Sequence, residues 1–230
     1  MAGSTPLAHA FVVDLEAPEL DADDRHHVER VLRLRPGDEL TVSDGAGGWR
    51  RCRFGPAVQP VGAVHRDPEP RPTLTVAFAL TKGDRPEWTV QKLTELGIDR
   101  IVPFAGDRSV VRWDGAATLA SKLGRLRRIA RQAAMQSRRS WLPVVEDLVS
   151  FAVVAARPGA ALADREGDPP SLSWPVVLVG PEGGWSPEEE ELGLPRMGLG
   201  PQVLRAETAA VSAGAVLAAL RAGLVRDARS

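Results

Sequence analysis

Residues 176–184 read Val176-Val177-Leu178-Val179-Gly180-Pro181-Glu182-Gly183-Gly184. An unbroken apolar run suits a strand covered on both faces, the mark of a parallel sheet flanked by helices. The run ends in a turn that holds glycines, a proline and one carboxylate. Gly183 and Gly184 open backbone angles closed to other residues and let a ligand touch main chain. Ser186-Pro187-Glu188-Glu189 then reads as a capping box with proline at the first helical position. The free N–H groups of such a helix start can meet an anion. A tight strand-to-helix turn with no ligand explains the same residues, so the loop must be weighed with the rest of the chain.

Outward from this stretch the chain alternates strands and helices from residue 74. Residues 74–80 (LTVAFAL) are a second buried strand. A helix follows, with Asp84 as its cap, Pro86 in its first turn, Glu87 at the capping-box spacing and Gly97 as its stop. Residues 98–104 are a strand, 115–139 a long helix, 148–157 a helix, 161–164 a short strand, 196–200 another, and 206–223 a helix of small residues. This pattern predicts an α/β domain with a mostly parallel sheet. Ligands in such sheets bind outside the carboxyl ends of the strands. Three segments fall there: Leu80-Thr81-Lys82-Gly83, Gly180 to Gly184, and Leu199-Gly200-Pro201.

Residues 9–64 read differently, as short strands and turns. Residues 9–14 are a strand and 23–40 hold a short helix stopped by Pro36-Gly37. Asp44-Gly45 is a hairpin turn flanked by LTV and WRRCRF. A small barrel fits, and the proline-rich residues 66–73 suit a linker. The expected division is 1–70 and 71–230.

The single cysteine, Cys52, excludes an internal disulfide and a multi-cysteine zinc site. The four histidines do not make a metal site, and none is expected. Neither a signal peptide nor a membrane-length apolar run is evident, so a cytoplasmic protein is expected. No GxGxxG follows the first strand of the second domain, and no GxxxxGK[ST] or Gly-x-Ser-x-Gly occurs. The missing dinucleotide fingerprint disfavours an oxidoreductase. The net charge of −1 conceals clustering: residues 125–139 carry six arginines and no acid. Such patches, rather than net charge, meet a phosphate backbone.

The motifs HHVERVLRLRPGDEL, TKGDRPEWTVQKLTELGIDRIVPF, DRSVVRW, QAAMQSRRSWLPVV, VGPEGGWSPEEEE and LGPQVLRAETA occur in this order over about residues 9–223. Together they resemble the RsmE family of 16S rRNA (uracil N3) methyltransferases, in the SPOUT or α/β-knot superfamily. The resemblance implies a small N-terminal PUA-like β-barrel that binds RNA and a C-terminal trefoil-knotted α/β methyltransferase domain. It also implies a homodimer, S-adenosyl-L-methionine as cofactor, and 16S rRNA as partner, within the assembled 30S subunit. Carried onto this chain, the cofactor residues are Leu80, Thr81, Gly180, Pro181, Glu182, Gly183, Gly184, Leu199, Gly200, Leu204 and Arg205. Many relatives carry a Glu-Gln pair where this chain has Met135-Gln136, which argues against that glutamate as an essential base.

Uracil N3 carries a proton at neutral pH, and the enzyme must remove it or bind the anion. Arg205 is the candidate for developing charge on substrate, and Glu207 for base or organiser. Each has a plainer reading: Arg205 in an ion pair with Glu182 or Glu207, and Glu207 as a helix-start carboxylate. RNA contacts are expected from Arg25, His27, Arg30, Arg33, Arg108, Arg128, Arg131, Gln136 and Arg138. With no tyrosine and five phenylalanines, recognition is expected to use phosphate and shape more than stacking. A different SPOUT reaction and a non-catalytic RNA-binding protein are the remaining alternatives.

Overall fold

The central sheet strands of the second half are buried on both sides, and their side chains alternate between two cores. The computed structural model describes residues 8–226. It divides into two units: residues up to Glu69 together with Gln132–Leu142, and Pro70–Arg131 together with the chain from Pro143.

In the first unit, β1 (Ala8–Phe11) pairs in parallel with β2 (Glu39–Ser43). β3 (Gly48–Arg53) pairs antiparallel with β2 and with β4 (Gln59–Arg66). The order is β1-β2-β3-β4, with no β4-to-β1 pair among the described residues. The Asp44 carboxylate closes the hairpin by accepting from Ala46 N and Gly48 N at 2.7 and 2.9 Å. α1 (Ala22–His26) is capped by Asp21 and continues as a π-helical turn, His27–Val31. Val28, Leu40, Val42 and Cys52 are fully buried at the centre. β4 was not expected: it is exposed along nearly its whole length and contains Pro60 and Gly62, so it has little apolar alternation to read.

His9, on β1, is buried and its ring is fully used. Nε2 lies 3.0 Å from the Arg139 carbonyl and Nδ1 lies 2.7 Å from Thr41 Oγ1. A carbonyl only accepts, so Nε2 carries the proton and Nδ1 accepts from the hydroxyl. Burial lowers the His9 pKa to about 4; the Arg139 carbonyl opposes this and the Arg138 charge adds to it.

In the second unit, β5 (Thr75–Ala79), β6 (Arg100–Ala105), β7 (Val144–Val145), β8 (Val149–Ser150), β9 (Ala160–Asp168), β10 (Val176–Val179) and β11 (Arg196–Met197) form one sheet. The order is β11-β9-β10-β5-β6-β7, with β8 also on β6, and every strand pair among the described residues is parallel. The quoted stretch is therefore central, between β9 and β5. Val76, Phe78, Val177 and Val179 face one core, with α2 (Arg85–Glu95), α3 (Ala116–Gln136) and α6 (Ala206–Arg221). Ala77, Ala79, Val176 and Leu178 face the other, with α4 (Phe151–Ala155) and Trp185.

Local expectations met three corrections. The helix expected over 148–157 is shorter, Phe151–Ala155, because Val149–Ser150 pair with β6 as strand β8. Asp84 makes no side-chain cap bond, because its ψ of 5° is not the extended backbone a cap requires. Glu87 instead pairs with Arg125 at 3.0 Å. β9 extends well beyond residue 164, through polar residues that give no strand signal. Among the described residues, no helix is long and apolar enough to cross a membrane and no group of three or more metal-type ligands is assembled.

His9 generates a pH prediction. The unfolded histidine titrates near 6.5 and the folded one near 4, so between these values the unfolded chain binds more protons. Stability is then full above pH 6.5 and falls as pH drops toward 4, with a slope of up to about 1.4 kcal/mol per unit. An NMR titration of the His9 imidazole should give a midpoint near 4; an ordinary histidine midpoint would refute the buried neutral form.

Candidate active site

The glycine loop leaves β10 and enters α5 (Pro187–Glu190). Gly184 has φ +74° and its N–H donates to the Pro181 carbonyl at 3.0 Å. A Cβ on Gly180 would lie 3.1 Å from the Trp185 ring, which packs against Phe104 and Phe151.

The expected capping box is present, and it does more than end a helix. Ser186 Oγ accepts from Glu189 N at 3.2 Å, and Ser186 N donates to Glu189 Oε2 at 2.8 Å. The other oxygen, Oε1, accepts from Asp107 N at 3.1 Å, and Ser186 Oγ donates to Asp107 Oδ2 at 2.7 Å. The turn after β6 is thus fastened to the loop after β10. Arg108 adds to this by donating to the Gly183 carbonyl at 3.1 Å.

A cavity of about 300 Å³ opens at the carboxyl end of β10, level with the middle of β9. β9 contributes Ala163, Asp164 and Arg165, and the glycine loop contributes Gly180, Pro181, Glu182 and Gly184. Leu199, Gly200 and Leu204 come from the segment after β11, and Ala206 and Ala209 from α6. β11 can lie against β9 only because residue 167 is glycine: a Cβ there would sit 2.5 Å from the Met197 main chain. Asp164 is held ionised below the usual carboxylate range, chiefly by the Glu166 N–H, with further help from Arg196 and Arg165.

Two of the three predicted segments therefore meet in one cavity. Leu80 instead lines a separate cavity of about 350 Å³ with Asp107 and Trp113. Thr81 is buried and its hydroxyl has no hydrogen-bond partner among the described residues. Gly183 packs on Arg108 rather than lining the first cavity. Asp164, Arg165, Trp185 and Gln202 line it without having been anticipated. The carboxyl end of the strand expected at 161–164 could have pointed to Asp164 and Arg165; nothing of that kind pointed to Trp185 or Gln202.

Arg205 precedes α6 and is exposed. It is not the partner of Glu182 or Glu207: Arg85 takes both, with Nη1 at 2.9 Å from Glu182 Oε1 and Nε at 3.5 Å from Glu207 Oε1. The Glu182 pair is solvent-exposed and worth little. Glu207 is largely buried, and its Oε2 has no hydrogen-bond partner among the described residues. Of the residues expected to meet RNA, Arg25 is committed internally, to Glu29, Gly55, Pro56 and the Phe54 ring. His27 and Arg131 are half-buried, and Gln136 is exposed. Arg30, Arg33, Arg128 and Arg138 are exposed and form no ion pair among the described residues. Met135 is buried against Ala10, Phe11 and Leu142, so no titratable group stands at its position.

The family described as RNA methyltransferase domain matches residues 67–218, and the RNA methyltransferase PUA domain matches 20–55. The ribosomal RNA small subunit methyltransferase E of Mycobacterium bovis is 35% identical over 222 residues, covering 86% of this chain and 84% of the relative. A protein of Legionella pneumophila, solved in complex with the cofactor SAM, has TM-score 0.80 and 26% identity, covering 94% of this chain and 98% of that one. The ribosomal RNA small subunit methyltransferase E of Neisseria gonorrhoeae, solved with S-adenosyl methionine, has TM-score 0.72 and 28% identity, covering 93% and 97%. The chain belongs to this family of RNA methyltransferases, in the SPOUT superfamily, and is related over most of its length to the small subunit methyltransferase E proteins.

The double use of the Glu189 carboxylate sets a stability prediction. Glu189→Ala leaves the buried Ser186 N–H and the part-buried Asp107 N–H without their acceptor and should cost roughly 1–3 kcal/mol in urea unfolding. A loss within the error of the measurement would show that water replaces the carboxylate.

Proposed function

We propose that this chain methylates N3 of one uridine in 16S rRNA, using S-adenosyl-L-methionine, and acts on the assembled 30S subunit. The observation that carries the reading is the cavity at the carboxyl end of β10, beside the middle of β9, in a chain of this family. Its walls fit an adenosyl group: glycine main chain, leucine and alanine side chains, and few charges. Gly180, Pro181, Gly184, Leu199, Gly200 and Leu204 would hold it, with Asp164 and Glu182 at hand for a cationic part. When bound, the cofactor supplies an electrophilic methyl group on a sulfonium.

The chain's own task is to present N3 without its proton. N3 lies on the Watson–Crick edge, so the uridine must be unpaired, and flipped if stacked. Glu207 has one oxygen against Arg85 and the other buried and free to accept, which suits a base or organiser. Arg205, exposed and outside any ion pair among the described residues, is available where charge develops on O2 or O4. Cys52 takes no part: it is buried in the small unit and its thiol is pushed up to about 11 by burial. The same reading makes the catalytic unit knotted and the protein a cytoplasmic homodimer. The half-exposed small residues of α6, such as Ser212, Ala215 and Ala219, leave room for a closely packed copy.

The test is nucleoside mass spectrometry after incubation with labelled S-adenosylmethionine and either undermethylated 30S subunits or free 16S RNA. N3-methyluridine is expected, with 30S the better substrate; a different methylated nucleoside would overturn the position. Glu207→Gln should lower kcat by roughly 10²–10⁴-fold. An unchanged kcat would reduce Glu207 to a helix-start carboxylate.

A further inference from the structure

The small unit holds a cavity of about 250 Å³ lined by His9, Thr41, Trp49, Asp67, Arg138 and Ser140. It is small beside the roughly 300–1,000 Å³ of drug-sized ligand sites, a size for a single nucleotide unit. Its walls are preorganised. The Trp49 ring stacks on His65 at 4.5 Å and 23°, and its Nε1 donates to Asp67 Oδ1 at 3.1 Å. Asp67 Oδ2 accepts from Ser140 Oγ at 2.5 Å. Both carboxylate oxygens are thus engaged by neutral donors. His9 has both ring nitrogens engaged as well.

Arg138 differs from its neighbours. It follows the last turn of α3, where Arg139 N reaches the Ala134 carbonyl and Arg138 N the Met135 carbonyl. This is a Schellman stop, and Arg138 occupies its left-handed position with φ +57°, where glycine is the ordinary residue. Arg33, also exposed, is the other non-glycine residue with positive φ among those described. A side chain kept against its backbone preference points to a use for it. Its guanidinium has no ion-pair or hydrogen-bond partner among the described residues.

We infer that this pocket is a nucleotide subsite: it takes one unstacked nucleotide of single-stranded RNA, with the base against Trp49 and the phosphate at Arg138. The choice of RNA rests on the methyltransferase reading above. A single cation gives a lone mononucleotide little hold, so a strand is the ligand. With Asp67 and His9 already engaged, few groups remain to read base edges, and binding is tolerant of sequence, as stacking sites are.

The full-length protein with ¹⁵N-labelled tryptophan tests this. Its six tryptophans give separate indole signals, and Trp49 is assigned by its loss in Trp49→Phe. The probes are an oligouridylate octamer, the same octamer in a duplex, and uridine 5′-monophosphate. The single strand should shift the Trp49 signal, the duplex should not, and the mononucleotide should do so only weakly. Arg138→Gly should weaken single-strand binding by roughly tenfold while melting no lower than wild type, because glycine suits the left-handed position. Binding that leaves Trp49 unmoved overturns the proposal, as do no binding at all and Arg138→Gly binding like wild type. If the wild type methylates another nucleoside, the uridine N3 reading fails while a shifted Trp49 still stands.

Discussion

Glu189 is buried to 3% exposure, and each of its carboxylate oxygens accepts a different main-chain N–H. One belongs to the start of α5 and the other to the turn after β6. A strand end is a free end, and glycines make it freer. Here the flexible loop is fixed at its base by a charged acceptor in a low-dielectric setting, where such bonds are strong. Gly180, Gly183 and Gly184 keep main chain accessible, while the Trp185 ring beneath Gly180 and the Arg108 side chain against Gly183 hold the loop's course.

The charges of the protein divide into those consumed internally and those left over. Arg50, Arg25 and Arg85 are consumed: the first by the Leu15 and Gly62 carbonyls and Glu16, the second by Gly55, Pro56 and Glu29, the third by Glu182 and Glu207. Arg30, Arg33, Arg128 and Arg138 remain exposed. A count of arginines in the sequence cannot make that division. It matters because only an unpaired guanidinium can replace a counterion on a phosphate without first breaking a bond of its own.

Several features were legible because their causes are local. The capping box at Ser186 needs residues three apart, and Gly97 stops α2 with φ +90°. The hairpin at Asp44 follows from one carboxylate and the glycines beside it. Asp84 shows where local reading fails: the residue types were right, but the loop before α2 gives it a backbone from which no cap forms.

The sequence by itself determined the elements, the both-faces burial of β10 and the positions of the glycines, because periodicity, capping and turn chemistry act over a few residues. It also carried the family, through motifs in a fixed order. Only the tertiary structure decided which residues meet. Arg85 rather than Arg205 reaches Glu182, across 97 residues of chain; Leu80 leaves the cavity that Asp164 enters. Those pairings depend on the order of strands in the sheet, and nothing in a local pattern of residues encodes which strand lies beside which.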